Sequence, residues 1–258
     1  MSAPPRLSVI IPVRDEAGNI APLVAEIEAA LAGGPGFEIL YVDDGSTDAT
    51  RAEILALAAT RPHLRLLALE ANAGKAEAQR AGARAARGEW IALMDGDGQN
   101  DPAYLPALIA AQENAGAPVL VLAQRLGRRD TGFKRLQSRL ANAVRRRLLR
   151  DATRDAGCGF ALLPRALYLA LPQFDGLHRF LPALVRREGH GVVFVDVRDR
   201  PRQAGQSKYG FFDRLWVGLD DMLGVMWLIR RRRRVARARE VSRDRPPLPP
   251  PAAPGGGA

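Results

Sequence analysis

Trp90-Ile91-Ala92-Leu93-Met94-Asp95-Gly96-Asp97-Gly98-Gln99 decides how this chain folds. An apolar run leads straight into two aspartates separated by a glycine. It reads as a strand buried on both faces that ends in a carboxylate pair. The same design stands upstream, in Phe37-Glu38-Ile39-Leu40-Tyr41-Val42-Asp43-Asp44-Gly45-Ser46. Ligands of open parallel α/β sheets bind beyond the carboxyl ends of the strands. Carboxylates placed there are badly sited for stability and well sited for chemistry.

Around these two stretches the pattern alternates. Leu7-Ser8-Val9-Ile10-Ile11-Pro12 reads as a first strand. Residues 19–32 carry helical spacing at Ile20, Leu23, Val24, Ile27 and Leu31, closed by Gly33-Gly34-Pro35-Gly36. Ser46 or Asp48 is placed to cap a helix over 49–60. A third strand over 64–69 and an Ala-rich helix over 74–87 follow, the latter stopped by Gly88. The fourth strand is expected to end at Asp95, Pro102 to open a helix, and 119–123 to form a fifth strand. This order predicts an α/β fold: a mostly parallel twisted sheet with helices on both faces. The second half is less regular. A basic helix is expected over 133–149, a strand over 192–197, a polar loop over 200–208 and a helix over 211–229. The Pro/Gly-rich stretch from Pro246 onward reads as a disordered tail.

With 258 residues, 47% of them hydrophobic, the chain can bury a large core. Its single cysteine, Cys158, excludes an intrachain disulfide and reads as a small packing residue. The amino terminus passes directly into a strand, so no secretory signal is expected. The net charge of +10 points to an anionic partner: nucleic acid, phospholipid or a phosphorylated substrate.

Asp95-Gly96-Asp97 has a simple logic. Alternate residues leaving a strand converge on one cation when the backbone turns, and Gly96 and Gly98 permit that turn. Hard oxygens suit Mg²⁺ or Mn²⁺, with diphosphate and water completing the shell and Gln99 as a neutral ligand. Asp43 and Asp44 are suited to accept hydrogen bonds from a base or ribose. Lys75, after Asn72-Ala73-Gly74, lies at a helix amino end, a natural anion site.

Taken in order, Pro12-Val13-Arg14-Asp15-Glu16, Val42-Asp43-Asp44-Gly45-Ser46-Thr47-Asp48, Asn72-Ala73-Gly74-Lys75 and 94–102 resemble the family 2 inverting glycosyltransferases of the GT-A fold. Residues 177–184 and Arg200-Pro201-Arg202-Gln203-Ala204-Gly205-Gln206-Ser207-Lys208-Tyr209-Gly210 resemble, more narrowly, the polyprenyl-phosphate sugar transferases of the dolichyl-phosphate mannose synthase type. The likeness covers roughly 7–230. It implies a Rossmann-like GT-A catalytic domain over 1–210, a basic amphipathic membrane-interface helix over 211–240 and the tail over 241–258. It also implies a nucleoside-diphosphate sugar donor, GDP-mannose or a UDP-sugar, and a polyprenyl phosphate acceptor.

The resemblance assigns roles as well. Pro12, Arg14 and Glu16 border the nucleotide, with Asp43 and Asp44 on base and ribose and Lys75 and Gly96 beside the donor. Asp95, Asp97 and Gln99 hold the metal. Arg125, Arg135 and Ser138 bind the acceptor phosphate, and Arg202, Ser207 and Lys208 close over the diphosphate. Asp97, Arg125, Arg202 and Lys208 are thus the expected catalytic set. Arg14 and Asp15 depart from the Tyr and Asn of many members. Asp155 falls at the sugar end of the pocket, and His178 is a candidate contact to sugar or phosphate. An acceptor phosphate is already anionic, so the chemistry needs alignment and leaving-group stabilisation rather than a strong base.

The helix over 215–229 is apolar but interrupted by Asp220 and Asp221, and too short to span a bilayer. Trp216, Trp227 and the run from Arg230 to Arg234 fit an interfacial helix on an anionic membrane. A helix packed on the domain is the other reading of the same residues. Peripheral attachment to the cytoplasmic face of a bacterial inner membrane is expected. A nucleic-acid binder would also use the arginines, but no helix-turn-helix, zinc or RNA-binding motif accompanies them, so no nucleic acid is expected as partner. A family 2 enzyme acting on a glycan or lipid hydroxyl is the nearer alternative, and it would need a general base.

Overall fold

The computed structural model describes residues 4–126, 148–149, 158–198, 200 and 211–231, with only the backbone described over 211–219. The chain begins with β1 (Leu7–Val13), α1 (Ile20–Ala30), β2 (Phe37–Asp43), α2 (Thr50–Ala58), β3 (Leu64–Ala68), α3 (Lys75–Ala85) and β4 (Trp90–Leu93). A 3₁₀ turn over Pro102–Tyr104 leads into α4 (Leu105–Asn114) and β5 (Val119–Arg125). Then come β6 (Ala161–Pro164), α5 (Arg165–Ala170), a 3₁₀ turn over Leu177–Arg179, α6 (Leu181–Arg187), β7 (Gly191–Val197) and α7 (Phe211–Arg230).

The strands form one seven-stranded sheet in the order β3-β2-β1-β4-β6-β5-β7. β1 pairs in parallel with both β2 and β4, and β5 with β7, whereas β6 runs antiparallel between β4 and β5. The expected mostly parallel sheet is therefore present, with one reversed strand.

Strand periodicity explains the layering. Leu7, Val9, Ile11 and Val13 of β1 point to one face, where they meet Ile20, Val24 and Ile27 of α1, Ile54 of α2 and Leu105 and Leu108 of α4. Ile10, Leu40, Ile91 and Leu93 point to the other, against Ala78 and Ala83 of α3, Tyr168 of α5, Leu181 and Leu184 of α6 and Val225 of α7. At the amino edge of the sheet Glu38 is buried. It is satisfied by Ser8 Oγ at 2.7 Å, the Arg87 amide and Arg65. Burial alone would raise its pKa, but those bonds hold the carboxyl below its ordinary value.

Some boundaries differ from the sequence reading, for local reasons. β4 ends at Leu93 rather than Asp95, because the Asp95 amide donates to Asn100 Oδ1 at 2.9 Å instead of joining the ladder. β5 runs on to Arg125 because β7 pairs with it over its whole length. Of the two capping candidates, Asp48 takes the Thr50 amide at 3.0 Å, while Ser46 Oγ accepts from the Asp15 amide. The expected helix over 133–149 lies outside the described residues except for 148–149.

α7 lies against α6. Val225 is buried between them, and Arg187 Nε donates to the Leu228 carbonyl at 2.8 Å. On the opposite side Leu223 and Trp227 are 64% and 60% exposed. No described helix is long and apolar enough to cross a membrane. The helix thus packs on the domain and still presents an apolar stripe; Trp216 lies among the side chains not described.

Close packing of α3 on the sheet uses Gly82, where a Cβ would meet Ile10 Cγ2 at 2.5 Å and Val42 Cγ2 at 3.0 Å. Gly82→Ala should lower the unfolding free energy by about 1–2 kcal/mol, although helix propensity alone favours Ala by about 1 kcal/mol. The urea midpoint reads this directly; an unchanged or raised midpoint contradicts the tight fit.

Candidate active site

The carboxyl ends of β2, β1 and β4 lie side by side, and the loops that leave them are laced together. Asp15, just past β1, has a left-handed backbone with φ +54°. Asp and Asn tolerate that region better than other side chains. The strained residue is held from both sides: its amide donates to Ser46 Oγ, and its carboxylate accepts from the Thr47 amide at 2.8 Å. The amides of Glu16, Ala17 and Gly18 continue the lacing onto Thr50 Oγ1, Asp48 and Glu53.

Asp43 ends β2 with no exposed surface. Its carboxylate accepts from the Ser46 amide at 2.9 Å and from Arg51 Nε at 2.7 Å. Burial pushes its pKa up, but Ser46 and the Arg51 guanidinium more than offset this, and the group stays below its ordinary value. Asp44 accepts from the Ala73 amide at 2.6 Å and the Gly74 amide at 3.0 Å. The next residue, Lys75, opens α3 and bonds Asp95 Oδ1 through its ammonium. The segment 73–75 therefore ties the two acidic strand ends to each other.

Asp95 is also approached from β6. A Cβ at Gly159 would stand 2.5–2.8 Å from the Asp95 carboxylate, so only glycine leaves that room. Burial would raise the Asp95 pKa; the charge and hydrogen bond of Lys75, aided by Arg125 at the end of β5, keep it depressed. His178 lies within electrostatic reach of Lys75, Asp95 and Arg179. Burial first, then the two cations, push its pKa down to about 3, so the imidazole is neutral at pH 7. Its Nδ1 is buried without a hydrogen-bond partner.

Asp97 is 7% exposed and accepts the Gln99 amide at 3.1 Å. Gly96 packs where a Cβ would meet Val13 Cγ1 at 2.5 Å, and Gly98 takes φ +74°. Both glycines are needed, one for close approach and one for backbone conformation. Arg200 ties this turn to the remainder: its amide reaches the Gln99 carbonyl, and its guanidinium pairs with Asp101 at 2.6 Å and Glu26 at 2.7 Å. Next to the cleft, on the outer side of α3, is a hollow of about 430 Å³ lined by Ala73, Glu77, Arg80, Gln173, Phe174 and Asp175.

Of the residues expected from sequence, Asp43, Asp44, Lys75, Asp95, Gly96, Asp97 and Gln99 come together at one edge of the sheet. Pro12 is on β1 opposite Val42, and Arg14 and Glu16 leave the same strand. Glu16 accepts from Asn19 Nδ2 at 2.8 Å, and Arg14 is largely exposed beside Asp15. Arg125 faces the Asp95 side. Arg135, Ser138, Asp155, Arg202, Ser207 and Lys208 lie outside the described residues. Sequence reasoning missed Arg51, Gly159 and Arg200. The one available signal was Gly159, a glycine directly before a buried strand.

The donor set fits a divalent cation that bridges protein and phosphate. Among the described residues no three His, Cys, Asp or Glu side chains form a complete cage. Asp95, Asp97 and Gln99 are the hard oxygen donors along this edge, and a Mg²⁺ or Mn²⁺ ion held by them would draw its other ligands from phosphate and water.

The model of the glycosyl transferase family 2 matches residues 8–171, and the chain belongs to that family. The dodecaprenyl-phosphate galacturonate synthase of Rhizobium johnstonii is 34% identical over 87% of this chain and 67% of its own length. The undecaprenyl-phosphate 4-deoxy-4-formamido-L-arabinose transferase of Edwardsiella ictaluri is 33% identical over 79% of this chain and 63% of its own. The chain thus spans about two thirds of these relatives. Among solved structures, glucosyl-3-phosphoglycerate synthase from Mycobacterium tuberculosis, in complex with Mn²⁺, UDP and phosphoglyceric acid, superposes with a TM-score of 0.65 at 21% identity. That match covers 87% of this chain and 78% of the other, and establishes the GT-A architecture.

Two outcomes follow from the geometry. Gly159→Ala should displace the Asp95 carboxylate and lower kcat for sugar transfer about 100-fold with the circular dichroism spectrum retained, since an error of about 1 Å suffices for that loss. The depressed Asp43 pKa means its stabilisation is complete above its unfolded value, near the ordinary 3.8, and is lost as pH falls through the lower native value. Urea melts should therefore separate wild type from Asp43→Asn more at pH 7 than at about pH 3.

Proposed function

We propose that this chain is a polyprenyl-phosphate glycosyltransferase. It moves one sugar from a nucleoside-diphosphate sugar to a polyprenyl phosphate, with inversion at the anomeric carbon. The observation that carries this reading is the gathering of Asp44 and Asp95 by the segment 73–75. A nucleotide and its diphosphate fit over that edge, and the two relatives above are named for products or acceptors of this lipid class.

In this reading Pro12, Arg14, Glu16, Asp43 and Asp44 border the nucleotide. Asp97, Asp95 and Gln99 hold Mg²⁺ or Mn²⁺, which supplies charge compensation for the departing diphosphate. Binding of Mn²⁺ and UDP by the Mycobacterium tuberculosis neighbour supports that assignment. Lys75 neutralises Asp95 and offers its ammonium to donor oxygens. Arg125, with Arg135 and Ser138, receives the acceptor phosphate, while Arg202 and Lys208 close on the diphosphate. The attacking oxygen is already anionic, so no side chain has to remove a proton from it.

The acceptor lives in a bilayer, and α7 suits attachment there. Leu223 and Trp227 point outward, and the Arg230–Arg234 run follows them in sequence. We place the catalytic unit at 1–210, the interface helix at 211–240, and the protein at the cytoplasmic face of a bacterial inner membrane.

The purified chain, offered undecaprenyl phosphate and a panel of UDP- and GDP-sugars with Mn²⁺, should transfer label to the organic phase. Asp97→Ala and excess EDTA should each abolish transfer, and added Mn²⁺ should restore it after EDTA. Full activity in EDTA refutes the metal assignment; transfer to free sugars but not to the lipid refutes the acceptor. Replacing Leu223 and Trp227 together by Ser should weaken sedimentation with anionic vesicles at least tenfold, because each side chain contributes about 1.5–3 kcal/mol on burial. Unchanged sedimentation would place the membrane contact elsewhere.

A further inference from the structure

α7 does more than lie on the domain: it touches the turn that borders the active site. Gly176 has φ +80°, and a Cβ there would stand 2.8 Å from Asp221 Oδ2. Asp221 is carried by α7, one turn before the buried Val225. Its Oδ2 is wholly buried and has no hydrogen-bond partner. Arg179 NH1 is 3.9 Å from that same oxygen. Burial, helped by Asp175 and Asp220, raises the Asp221 pKa, and Arg179 opposes them. Desolvation of a carboxyl is costly unless a partner compensates it, and Arg179 is the cation placed to do so.

The turn it meets is short and rigid. The Arg179 amide donates to the Gly176 carbonyl at 3.0 Å and the Phe180 amide to Leu177 at 2.8 Å. Leu177 and Phe180 are buried on either side of His178. Asp175 begins the turn, and a Cβ on Gly74 would lie 4.0 Å from its Oδ1. His178 projects from the turn into the field of Lys75 and Asp95. The 175–179 turn therefore stands between Asp221 of α7, which it touches, and the Lys75–Asp95 pair, which lies within electrostatic reach of His178.

We propose that Asp221 and Arg179 are positioning residues, which seat the 175–179 turn on α7 and so hold His178 beside the Lys75–Asp95 pair. The inference rests on the reading of this cleft as the transferase site. It makes docking of the interface helix and alignment of the cleft a single mechanical event. A tilt of α7 is passed on because the turn is packed on both sides, and packed elements shift as units.

The test uses the full chain and its three histidines, His63, His178 and His190. Ring resonances of ¹⁵N-histidine-labelled protein are recorded for wild type, Asp221→Asn and Gly176→Ala. His63 is bonded to Glu28 and His190 to the Pro118 carbonyl, so both serve as internal references. Both variants should move the His178 signals and leave the other two in place. Transfer to undecaprenyl phosphate should show kcat reduced about tenfold, with less than a twofold change in KM for the acceptor. Asp221→Asn is isosteric, so it reports even if Gly176→Ala folds poorly. An unmoved His178 with kcat within twofold of wild type overturns the proposal. If His178 moves while wild type transfers nothing to the lipid, the coupling stands and the transferase reading falls.

Discussion

One short stretch of backbone, Ala73-Gly74-Lys75, holds the whole cleft in shape. Two of its amides grip Asp44 and the following ammonium grips Asp95. Without this tie, the negative charge at the ends of β2 and β4, which flank β1, would stand uncompensated on one edge of the sheet. Desolvation would add to that cost, because both groups are largely enclosed. Placing the counter-charge on the first residue of α3 also orients the helix, whose amino end faces the same carboxylates. The sheet supplies the proximity and α3 makes it tolerable.

The molecule treats its carboxylates differently at its two edges. Glu38, at the amino edge, is locked by a hydroxyl, an amide and a guanidinium, and faces no cleft. Asp43, at the carboxyl edge, is comparably enclosed and ties Ser46 of the following loop to Arg51 of α2. Asp95 pairs with Lys75 and packs against the Gly159 backbone, and Asp97 stands in the turn that Gly96 and Gly98 permit. The same carboxyl chemistry is thus locked away at one edge and gathered at the other, and the difference lies in the neighbours.

Much of this was legible from the residues. Apolar runs ending in aspartate gave the strand ends, because a buried strand and a terminal carboxylate are both local signals. Asp15 stood out as a departure from the Asn of many members within the Pro12–Glu16 motif, yet its left-handed backbone depends on Ser46 and Thr47, which follow another strand. The partner of Asp43 could not be read either: Arg51 is the second residue of α2, eight positions on, and only the three-dimensional course of the loop turns it back. Arg200 was hidden for the same reason, since it contacts Glu26 and Asp101, which are remote in the chain. The reversal of β6 left no trace in a segment of four apolar residues, because periodicity carries no information on direction.

That reversal has a consequence for how such a cleft diversifies. Because β6 runs against β4, pairing Ala161 with Leu93, it is the beginning of β6 that reaches the ligand edge. Gly159, two residues before Ala161, stands against the Asp95 carboxylate, so this edge receives backbone from outside the β1–β4 unit. The parallel β1–β4 unit and the β5–β7 unit thus meet across a single strand boundary, β4 against β6. On the function proposed above, this junction is a natural seam: substitutions before β6 can reshape the carboxyl edge while the pairing of β1 with β2 and β4 stays intact.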